Sequence, residues 1–475
     1  MHTFDEVLFE SFREMLLDCL STLDSDGWAR FNEALRQGLN KIGSQICKLV
    51  LESANEEFVA NPEARAGWVV ERHGDKKTIL TVFGPVHYER TYFRHKKTKK
   101  YAYLADLIAG YQPHQRLDVL LEAEKVAKAV DLSYRKAGCY CRTEARETEV
   151  SGETVKNLIR RLSPEKHKSS PAKKLLRRCS RLYIEADEDH VARQVRKGEG
   201  PNCFEQKLVY IHEGRKKDQA NRYRLVGTHY FTFSSGTPSL EIWQSVWQYI
   251  QETYDVEAIE DIFISGDGAS WIKAGVDYLP CSHFVLDRFH LQKALLRAAG
   301  ADKEALMKLS RAVWQTNRSE VNRLLRQLRD DENTESRKRA IDRTRTYLNN
   351  NWEGIRAYRT WEGKLASCSA EGHVSHVLSA RLSSRPMGWS ELGANQMAHL
   401  RVHVANGIDL RRLHIEARKA KCKAEIHVPT ETIKALKQVV GSSHERLGNI
   451  PILQQKKGAW RTLLRNIATS SISLV

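Results

Sequence analysis

The sequence predicts a multidomain α+β protein whose central part is a mixed β-sheet interrupted by an all-helical insertion. At 475 residues the chain is longer than a single hydrophobic core supports, so two or more domains are expected. Between residues 181 and 300, short β-branched apolar runs alternate with stretches of helical periodicity. Residues 301–365 instead have the pattern of long charged helices, and a helical region and a small β region precede position 165.

The first 105 residues predict helices followed by a small antiparallel sheet. Residues 1–62 have amphipathic helical spacing, whereas 63–105 contain β-branched and aromatic runs with turns at Gly74-Asp75 and Gly84-Pro85. This region ends in a basic run among tyrosines, a composition suited to the backbone of DNA. A solvated hairpin tip explains the same residues equally well. The lysines concerned are Lys96, Lys97, Lys99 and Lys100.

Residues 106–165 predict three short helices, the last of which begins after a candidate N-cap, Ser151. Short helices that end in a basic, polar one suit a helix-turn-helix, whose final helix enters the major groove of DNA. Packing of three helices without DNA contact is the competing interpretation. The residues that the last helix would present to DNA are Thr154, Lys156, Asn157, Arg160 and Arg161. A basic linker over 166–180 then marks a domain boundary.

The central domain is predicted to contain three strands, a helix, a strand, a short helix, a strand and a helix within 181–300. Its third strand is predicted over Tyr223 to Phe233. The helical insertion 301–365 follows, and the final helix of the core is predicted within 366–400. Residues 401–475 have the composition of a basic helical C-terminal region.

Two of the predicted strands lead directly into an aspartate. Asp187 follows the apolar part of the first strand, but alternation places Glu185 and Asp189 on the same face, so periodicity does not choose among the three. Asp267 lies between two glycines, which let the backbone turn sharply beside a bound group. A turn aspartate that caps the next helix has the same pattern.

A third acid, Glu371, falls on the apolar stripe of its predicted helix, together with Val374 and Leu378. A glutamate on an inward face needs a partner, because an unpaired buried charge is costly. A metal ion supplies such a partner, and so does a salt bridge to Arg381 or Arg385.

Three carboxylates suit the cleavage of phosphodiesters. Two divalent cations roughly 4 Å apart activate a water or a 3′-hydroxyl and stabilise the leaving oxygen, and Mg²⁺ takes oxygen ligands. The net charge of +17 favours a polyanionic partner, most simply double-stranded DNA. We therefore predict that Asp187, Asp267 and Glu371 bind two Mg²⁺ ions, for which Mn²⁺ can substitute.

The segment from 287 to 290 ends one strand and opens a helix. Its polar side chains can orient the site or contact phosphate, and a capped helix start explains them equally well. The supporting residues predicted here are Asp287, Arg288 and His290.

The sequence excludes several other classes of protein. Nine cysteines without a CxxC pair predict free thiols, and neither a disulfide scaffold nor a zinc site. The first residues lack the pattern of a secretory signal, and no run approaches the ~18 apolar residues of a membrane span. No Walker loop or nucleophile elbow occurs. We expect a cytoplasmic, nucleoid-associated protein of a prokaryote, with no membrane partner and no small-molecule substrate.

The order of strand, acid, insertion and acid-bearing helix resembles the ribonuclease H-like core of DDE transposases. More specifically, the chain resembles the bacterial insertion-sequence transposases of the ISLre type, which are catalogued as an uncharacterised protein family, and more distantly the Mutator-like transposases. The stretches that carry this resemblance are LYIEADEDHV (182–191), KLVYIHEG (207–214), ISGDGASWIK (264–273), LDRFHL (286–291), CSAEGHVSHV (368–377) and SSRPMGWS (383–390). The N-terminal half matches more loosely, through FGPVHYERTY (83–92) and SYRKA (133–137).

In that fold the first acid lies on the first strand, the second follows the fourth strand and a glutamate lies on the last helix. The resemblance therefore selects Asp187, Asp267 and Glu371. It implies a transposase that cleaves and joins DNA at the terminal inverted repeats of an insertion sequence, with residues 1–165 on the repeats and the insertion and tail on flanking DNA. Two DNA ends must be held together, so a homo-oligomer on DNA is expected. The segment GCYC at 138–141 departs from the pattern and leaves the limits of the helix-turn-helix open.

Two alternatives stay open beside a transposase. One is a metal-dependent nuclease of the same fold that acts without strand transfer, and joined DNA products would distinguish the two. The other is a DNA-binding derivative without activity, against which the presence of all three acids argues.

Overall fold

The computed structural model describes residues 4–140, 148–162, 175–194, 201–219 and 222–423. The chain divides into two compact units. The first unit comprises residues 1–128, 134–155 and 411–475, and the second comprises residues 129–133 and 156–410. Most of the predicted linker 166–180 and of the predicted C-terminal region 401–475 lies outside the described residues. None of the described helices is long and apolar enough to cross a membrane.

The first unit combines helices with a small antiparallel sheet. The strands are β1 (Trp68–Thr81), β2 (Gly84–His95) and β3 (Tyr101–Ala102), and they pair in that order. The helices up to residue 161 are α1 (Phe4–Ser21), α2 (Leu23–Ala60, interrupted at Gly27), α3 (Leu104–Ile108), α4 (Val119–Ala129), α5 (Tyr134–Cys139) and α6 (Gly152–Arg161), and from residue 156 onward α6 belongs to the second unit. Helix α2 packs on the sheet, because its Leu51 and Phe58 share buried clusters with residues of β1 and β2. This helix therefore covers one face of the hairpin.

The prediction of a turn at Gly74-Asp75 is wrong. Strand β1 continues through both residues, and its pairing with β2 shifts register between Val70 and Asp75, which marks a bulge. Gly74 has a φ of +77°, a conformation that favours glycine, and it bends the strand without ending it. The turn of the hairpin lies at positions 82 and 83, directly before Gly84.

The three helices predicted for 106–165 correspond to α4, α5 and α6. Helix α5 ends at Cys139, and residues 141–147 of the predicted second helix lie outside the described residues. The buried Lys125 on α4 donates hydrogen bonds to the carbonyl oxygens of Gly138 and Tyr140. This lysine therefore fixes the end of α5 against α4 and is not part of a DNA-facing surface.

The strands of the second unit are β4 (Arg181–Ala192), β5 (Cys203–His212), β6 (Arg215–Gln219), β7 (Arg222–Leu225), β8 (His229–Ser234), β9 (Asp261–Gly266) and β10 (Ser282–Leu286). Five of them form a sheet in the order β10-β9-β4-β5-β8, and β6 pairs with β7. Strands β4, β9 and β10 are parallel, whereas β5 is antiparallel to both of its neighbours. The predicted α+β class with a mixed sheet is confirmed. The single strand predicted over Tyr223 to Phe233 is wrong, because a hairpin strand and a strand of the main sheet share that region.

Side-chain alternation on β4 assigns its two faces. Leu182, Ile184 and Ala186 are fully buried and pack against α7 (Ser239–Thr253), whose Trp243 is also buried. The alternate residues of the strand, which include Glu185, Asp187 and Asp189, face the other side of the sheet. The acidic side chains therefore lie on the face opposite the main apolar core.

Further helices follow β9 and, above all, β10. They are α8 (Ser270–Lys273), α9 (Gly275–Tyr278), α10 (Arg288–Ala299), α11 (Lys303–Trp314), α12 (Arg318–Asp330), α13 (Glu335–Asn350) and α14 (Trp352–Thr360), with a 3-10 turn at Val256–Ala258. Leu291 and Leu295 on α10 share one buried cluster with Leu309, Leu325 and Leu348. The helices within the predicted insertion 301–365 therefore have a common core with α10.

The final helix predicted within 366–400 is not a uniform α-helix. It consists of α15 (Ala370–Val374), a π-helical segment (Ser375–Ser379) and α16 (Ala380–Leu382). Two further helices follow, α17 (Glu391–Ala405) and α18 (Leu410–Lys423).

Candidate metal centre at the edge of the mixed sheet

The three carboxylates on one face of β4 have different surroundings. Glu185 is buried, accepts hydrogen bonds from the Tyr210 hydroxyl and the Ser369 backbone N–H, and lies 2.9 Å from His212 Nε2. Burial alone would raise the pKa of Glu185, but these partners outweigh burial and hold the pKa below its usual value. Glu185 therefore ties the central strands to the start of the helix that carries Glu371.

Asp189 ties the same helix to the sheet at a second point. Its Oδ1 accepts hydrogen bonds from Ser379 Oγ at 2.9 Å and from Ser383 Oγ at 2.7 Å. Asp187 lies between the two tied carboxylates and accepts the backbone N–H of Glu188 at 2.9 Å; no side chain among the described residues donates to it. The structure thus separates three acids that strand periodicity treats alike, because two of them anchor a helix and Asp187 does not.

Glu371 is exposed, so the inward orientation predicted for it is wrong. Its side chain is 63% exposed, whereas Val374 and Leu378 are buried. The additional residue of the π-helical segment Ser375–Ser379 removes Leu378 from the helical face of Glu371, whereas Val374 precedes that segment and differs from Glu371 only by the ordinary offset of three residues in a helix. The ion-pair contact of Glu371 is with His290, whose Nε2 lies 3.8 Å from Oε2.

Asp267 lies directly after β9 in a tight turn. Its Oδ1 accepts the backbone N–H of Ala269 at 2.8 Å, so Asp267 stabilises the turn, but the N-cap of the next helix is Ala269 and Asp267 does not cap that helix. Each flanking position requires glycine for a different reason. A Cβ on Gly266 would lie 2.8 Å from a carbonyl oxygen of β4, and Gly268 has a φ of +95°, which favours glycine. Tyr347 on α13 donates a hydrogen bond to the Asp267 carbonyl oxygen at 2.6 Å, so the helical segment helps to fix this turn.

The three supporting residues predicted at the start of α10 have different environments. Asp287 is buried and caps the helix by accepting a backbone N–H two residues further on at 3.2 Å. The guanidinium of Arg288 lies 5.3 Å from the ring centroid of Trp314 and 4.6 Å from that of Tyr358, so aromatic contacts hold it. His290 is the residue of the three that joins the acids.

Asp187, His290 and Glu371 each offer one ligand atom, and these three atoms lie within 4.8 Å of one another. This is the one such group of three or more found in the part of the chain that the structure describes. Asp267 is outside this group but lines the same hollow as His290. Burial and then the charges of Asp267, Glu371 and Asp287 raise the pKa of Asp187 to about 7. Carboxylates that repel one another beside an imidazole form a donor set that suits a divalent metal ion.

The hollow beside this cluster contains cationic residues that the sequence reasoning missed. It has a volume of about 170 Å³ and is lined by Asp267, His290, Lys293, Arg297 and Tyr347, among others. The two cations follow the histidine on α10 at i+3 and i+7, so one helical face presents all three. This spacing is visible in the sequence, and it could have predicted that Lys293 and Arg297 lie beside His290.

The residues predicted to touch DNA occupy two exposed places. All four lysines of the run are exposed in the turn between β2 and β3. On α6, Asn157, Arg160 and Arg161 are exposed, whereas Thr154 and Lys156 are half-buried. Their contact with DNA stays a prediction.

A basic hollow lies among the helices that follow α10, and we call it the arginine hollow. Its volume is about 960 Å³, and no acidic residue is among its lining residues in the described chain. Backbone and amide groups hold three of its arginines, as when Arg318 Nε donates to Asn349 Oδ1 at 2.8 Å, whereas Arg345 pairs with Asp342 at 3.3 Å. Its arginines are Arg318, Arg326, Arg345 and Arg359. Guanidinium groups gathered in this way attract phosphate groups.

Fold and site together define an α+β protein with a carboxylate–imidazole cluster at the edge of a mixed sheet. The model of a family described as Uncharacterised protein family (UPF0236) matches residues 27–419. The chain belongs to this family, and that part of the resemblance found in the sequence is confirmed.

Relatives of this chain extend over most of its length. A UPF0236 protein of Caldanaerobacter subterraneus subsp. tengcongensis is 34% identical over 458 residues, which are 95% of this chain and 95% of the relative. The UPF0236 protein in the vanSb 3′ region of Streptococcus gallolyticus is 25% identical over 404 residues, 82% of this chain and 84% of the relative. The similarity therefore includes both units of the structure.

Proposed function

We propose that this protein is a DNA transposase of the ISLre type with a ribonuclease H-like core, which cuts DNA at the ends of its element and joins those ends to a target. The observation that carries the proposal is the convergence of Asp187, His290 and Glu371 within 4.8 Å, with Asp267 beside them. The topology supports it as well. Asp187 lies on the first strand of the main sheet, Asp267 follows its fourth strand, and Glu371 lies on a later helix.

The donor set fits the divalent cations that this reaction needs. Asp187, Asp267, Glu371 and His290 would hold them, and the bound cations would supply a nucleophile at neutral pH and neutralise charge at the leaving oxygen. The pKa of about 7 for Asp187 supports this fit, because carboxylates that repel one another are stabilised by an added positive charge. His290 adds a nitrogen donor to the predicted oxygen set, which makes Mn²⁺ a suitable ion beside Mg²⁺.

The protein's own residues would orient the substrate. Lys293 and Arg297 line the hollow beside Asp267 and would bind phosphate oxygens of the DNA strand next to the acids. Glu185 and Asp189 keep the helix of Glu371 at a fixed distance from β4 through their hydrogen bonds. Positioning of this kind makes a large contribution to phosphoryl-transfer reactions.

Charge supports DNA as the partner. The chain has a net charge of +17, and the arginine hollow and the exposed lysine turn concentrate that charge on two surfaces. The name of the Caldanaerobacter relative joins eleven designations of one series. A single sequence with several designations fits an element that occurs in several copies, as transposable elements do.

The test is metal-dependent cleavage of DNA that carries the ends of the element. Wild-type protein should produce nicks at those ends with Mg²⁺ or Mn²⁺, and Asp187→Asn and Glu371→Gln should each lower the rate by about 10³-fold or more. Glu353→Gln is the matched control. It neutralises an exposed acid on α14 that pairs with Arg356, and it should leave the rate unchanged.

Each other outcome would replace the proposal by a defined alternative. Cleavage without joined DNA products would indicate a nuclease without strand transfer. Tight binding of the ends without any cleavage by the wild type would indicate a DNA-binding derivative. Cleavage that survives both substitutions would remove the acids from the active site.

A further inference from the structure

A third hollow, in the first unit, takes no part in the proposed cleavage. It lies between β1, the end of β2, β3 and the segment after α3, and its volume is about 780 Å³. This volume lies in the range of pockets that bind small ligands or single nucleotide units. We call it the tyrosine hollow, because four tyrosines and five cationic side chains line it together with one carboxylate. These residues are Tyr92, Tyr101, Tyr103, Tyr111, Arg72, Lys76, Lys77, Arg90, Arg116 and Asp106.

The one carboxylate of the tyrosine hollow is fully engaged. Asp106 is buried, pairs with Lys77 Nζ at 2.8 Å and with the guanidinium of Arg90, and accepts the Tyr88 hydroxyl at 2.6 Å. Its negative charge is therefore balanced within the hollow. Of the other charged lining residues, Arg72 pairs with Asp75 at 2.8 Å, whereas Lys76 and Arg116 are exposed at the rim. An anionic ligand meets no net repulsion there.

The aromatic wall of the hollow is a stack with an open end. The rings of Tyr92 and Tyr101 are nearly parallel, with centroids 5.3 Å apart and planes 13° apart. Tyr92 also contacts Tyr103, with ring centroids 4.8 Å apart. The guanidinium carbon of Arg90 lies 3.5 Å from the centroid of the Tyr103 ring. Tyr101 is 49% exposed, so the stack ends in a ring on which another flat group can lie.

We infer that the tyrosine hollow binds an unpaired nucleotide of a DNA strand, with the base stacked on Tyr101 and the phosphates on the cationic rim. A nucleotide has a flat base that can stack on the tyrosines and phosphates that can pair with the cationic residues. A base that is paired within a duplex is stacked between its neighbours, so its face is not available to Tyr101. The exposed run Lys96 to Lys100 leads directly into Tyr101 and offers the continuing strand a phosphate path. The inference uses none of the acids at the edge of the mixed sheet.

Fluorescence anisotropy with the full chain tests this inference. Labelled duplexes with and without a short single-stranded overhang, identical in their paired part, should differ in affinity by about tenfold in favour of the overhang. Tyr101→Ala should reduce this preference to about one, and Tyr101→Phe should keep it, because the ring face and not the hydroxyl makes the contact. Tyr278→Ala, at another half-exposed tyrosine on α9, should keep the preference and serves as the control.

Further measurements distinguish this inference from the proposed cleavage, and a nucleotide within a DNA strand from a free nucleotide. Asp187→Asn should lose cleavage and keep the overhang preference, so failure at the metal centre does not affect this test. Wild-type protein that binds both duplexes equally, or Tyr101→Ala that keeps the preference, would overturn the inference. Deoxyadenosine monophosphate that saturates the hollow while single-stranded DNA fails to displace it would also overturn it, because the ligand would then be a free nucleotide.

Discussion

The two units of the protein surround their buried acids in opposite ways. In the first unit, Asp106 is enclosed by Lys77, Arg90 and the Tyr88 hydroxyl. In the second, Asp187 lies near three other carboxylates, and no lysine or arginine of the described chain forms an ion pair with it. The first arrangement is electrostatically complete within the fold. The second raises the free energy of the folded protein, and an added cation would lower it.

The difference distinguishes charges that are balanced within the fold from charges that are not. Proteins retain like charges in proximity chiefly where chemistry needs them, because mutual repulsion costs stability. Two residues on one strand repeat the contrast at short range. Glu185 has its pKa lowered by hydrogen-bond partners that outweigh burial, and Asp187 has its pKa raised by burial and by neighbouring acids. Position on the strand is nearly the same, so the neighbours decide the role.

The largest effect is expected at Asp106. Asp106→Asn leaves Lys77 and Arg90 buried without a counter-charge, which should lower the free energy of unfolding by about 3–5 kcal/mol. Urea denaturation followed by circular dichroism measures this change. Adding Lys77→Met to the variant removes one of the unpaired cations and should recover part of the loss. An Asp106→Asn protein as stable as the wild type would mean that this cluster is not electrostatically complete.

A smaller loss is expected at Glu185. Glu185→Gln weakens the hydrogen bonds to Tyr210, His212 and Ser369 and should cost about 1–3 kcal/mol. The folded pKa of Glu185 lies below its unfolded value, so its contribution is present above the unfolded pKa and is lost as the pH falls through the folded pKa. Wild-type stability should therefore decline at acid pH more than that of the variant.

The same substitution tests whether Glu185 is a positioning residue. A loosened helix would displace Glu371, so the cleavage rate should fall while the affinity for DNA stays unchanged. Ser379→Ala, which removes one donor to Asp189 on the same helix, should have a weaker effect of the same kind. A lower DNA affinity with an unchanged cleavage rate at saturating DNA would contradict the positioning role.

Sequence patterns predicted the elements better than the surroundings of the acids. The sheet and the position of Asp267 directly after a strand follow from local periodicity and glycine placement, which the chain encodes within a few residues. The prediction that the first strand ends at Asp187 is wrong, because β4 continues to Ala192 through its pairing with β5. The opposite exposure of Glu371 and Leu378 did not follow, because a π-helical segment changes the phase of the helix between them. The choice of Asp187 over Glu185 and Asp189 depends on donors from residues about 25 to 190 positions away, which no local pattern contains.

The smallest effect, and the one with the opposite sign, is expected at Asp187. Its folded pKa of about 7 lies above the ordinary value, so the wild type loses stability as the pH rises from about 4 to about 7. Asp187→Asn cannot ionise and should not lose this stability. Near pH 8 and without divalent metal, the variant should be more stable than the wild type by on the order of 1 kcal/mol, because water and relaxation around the ionised carboxylate reduce the roughly 4 kcal/mol that the raised pKa alone would give.

Addition of Mn²⁺ should then reverse the order at Asp187, because the wild type binds the ion more tightly than the variant and is stabilised by that binding. Thermal unfolding at several pH values, with and without Mn²⁺, measures both effects, and Asp106→Asn provides the comparison in the other unit. If Asp187→Asn is instead less stable than the wild type near pH 8 without metal, Asp187 resembles Asp106 and belongs to the charges that are balanced within the fold. The contrast between the two units would then fail at the residue on which the proposed metal centre depends.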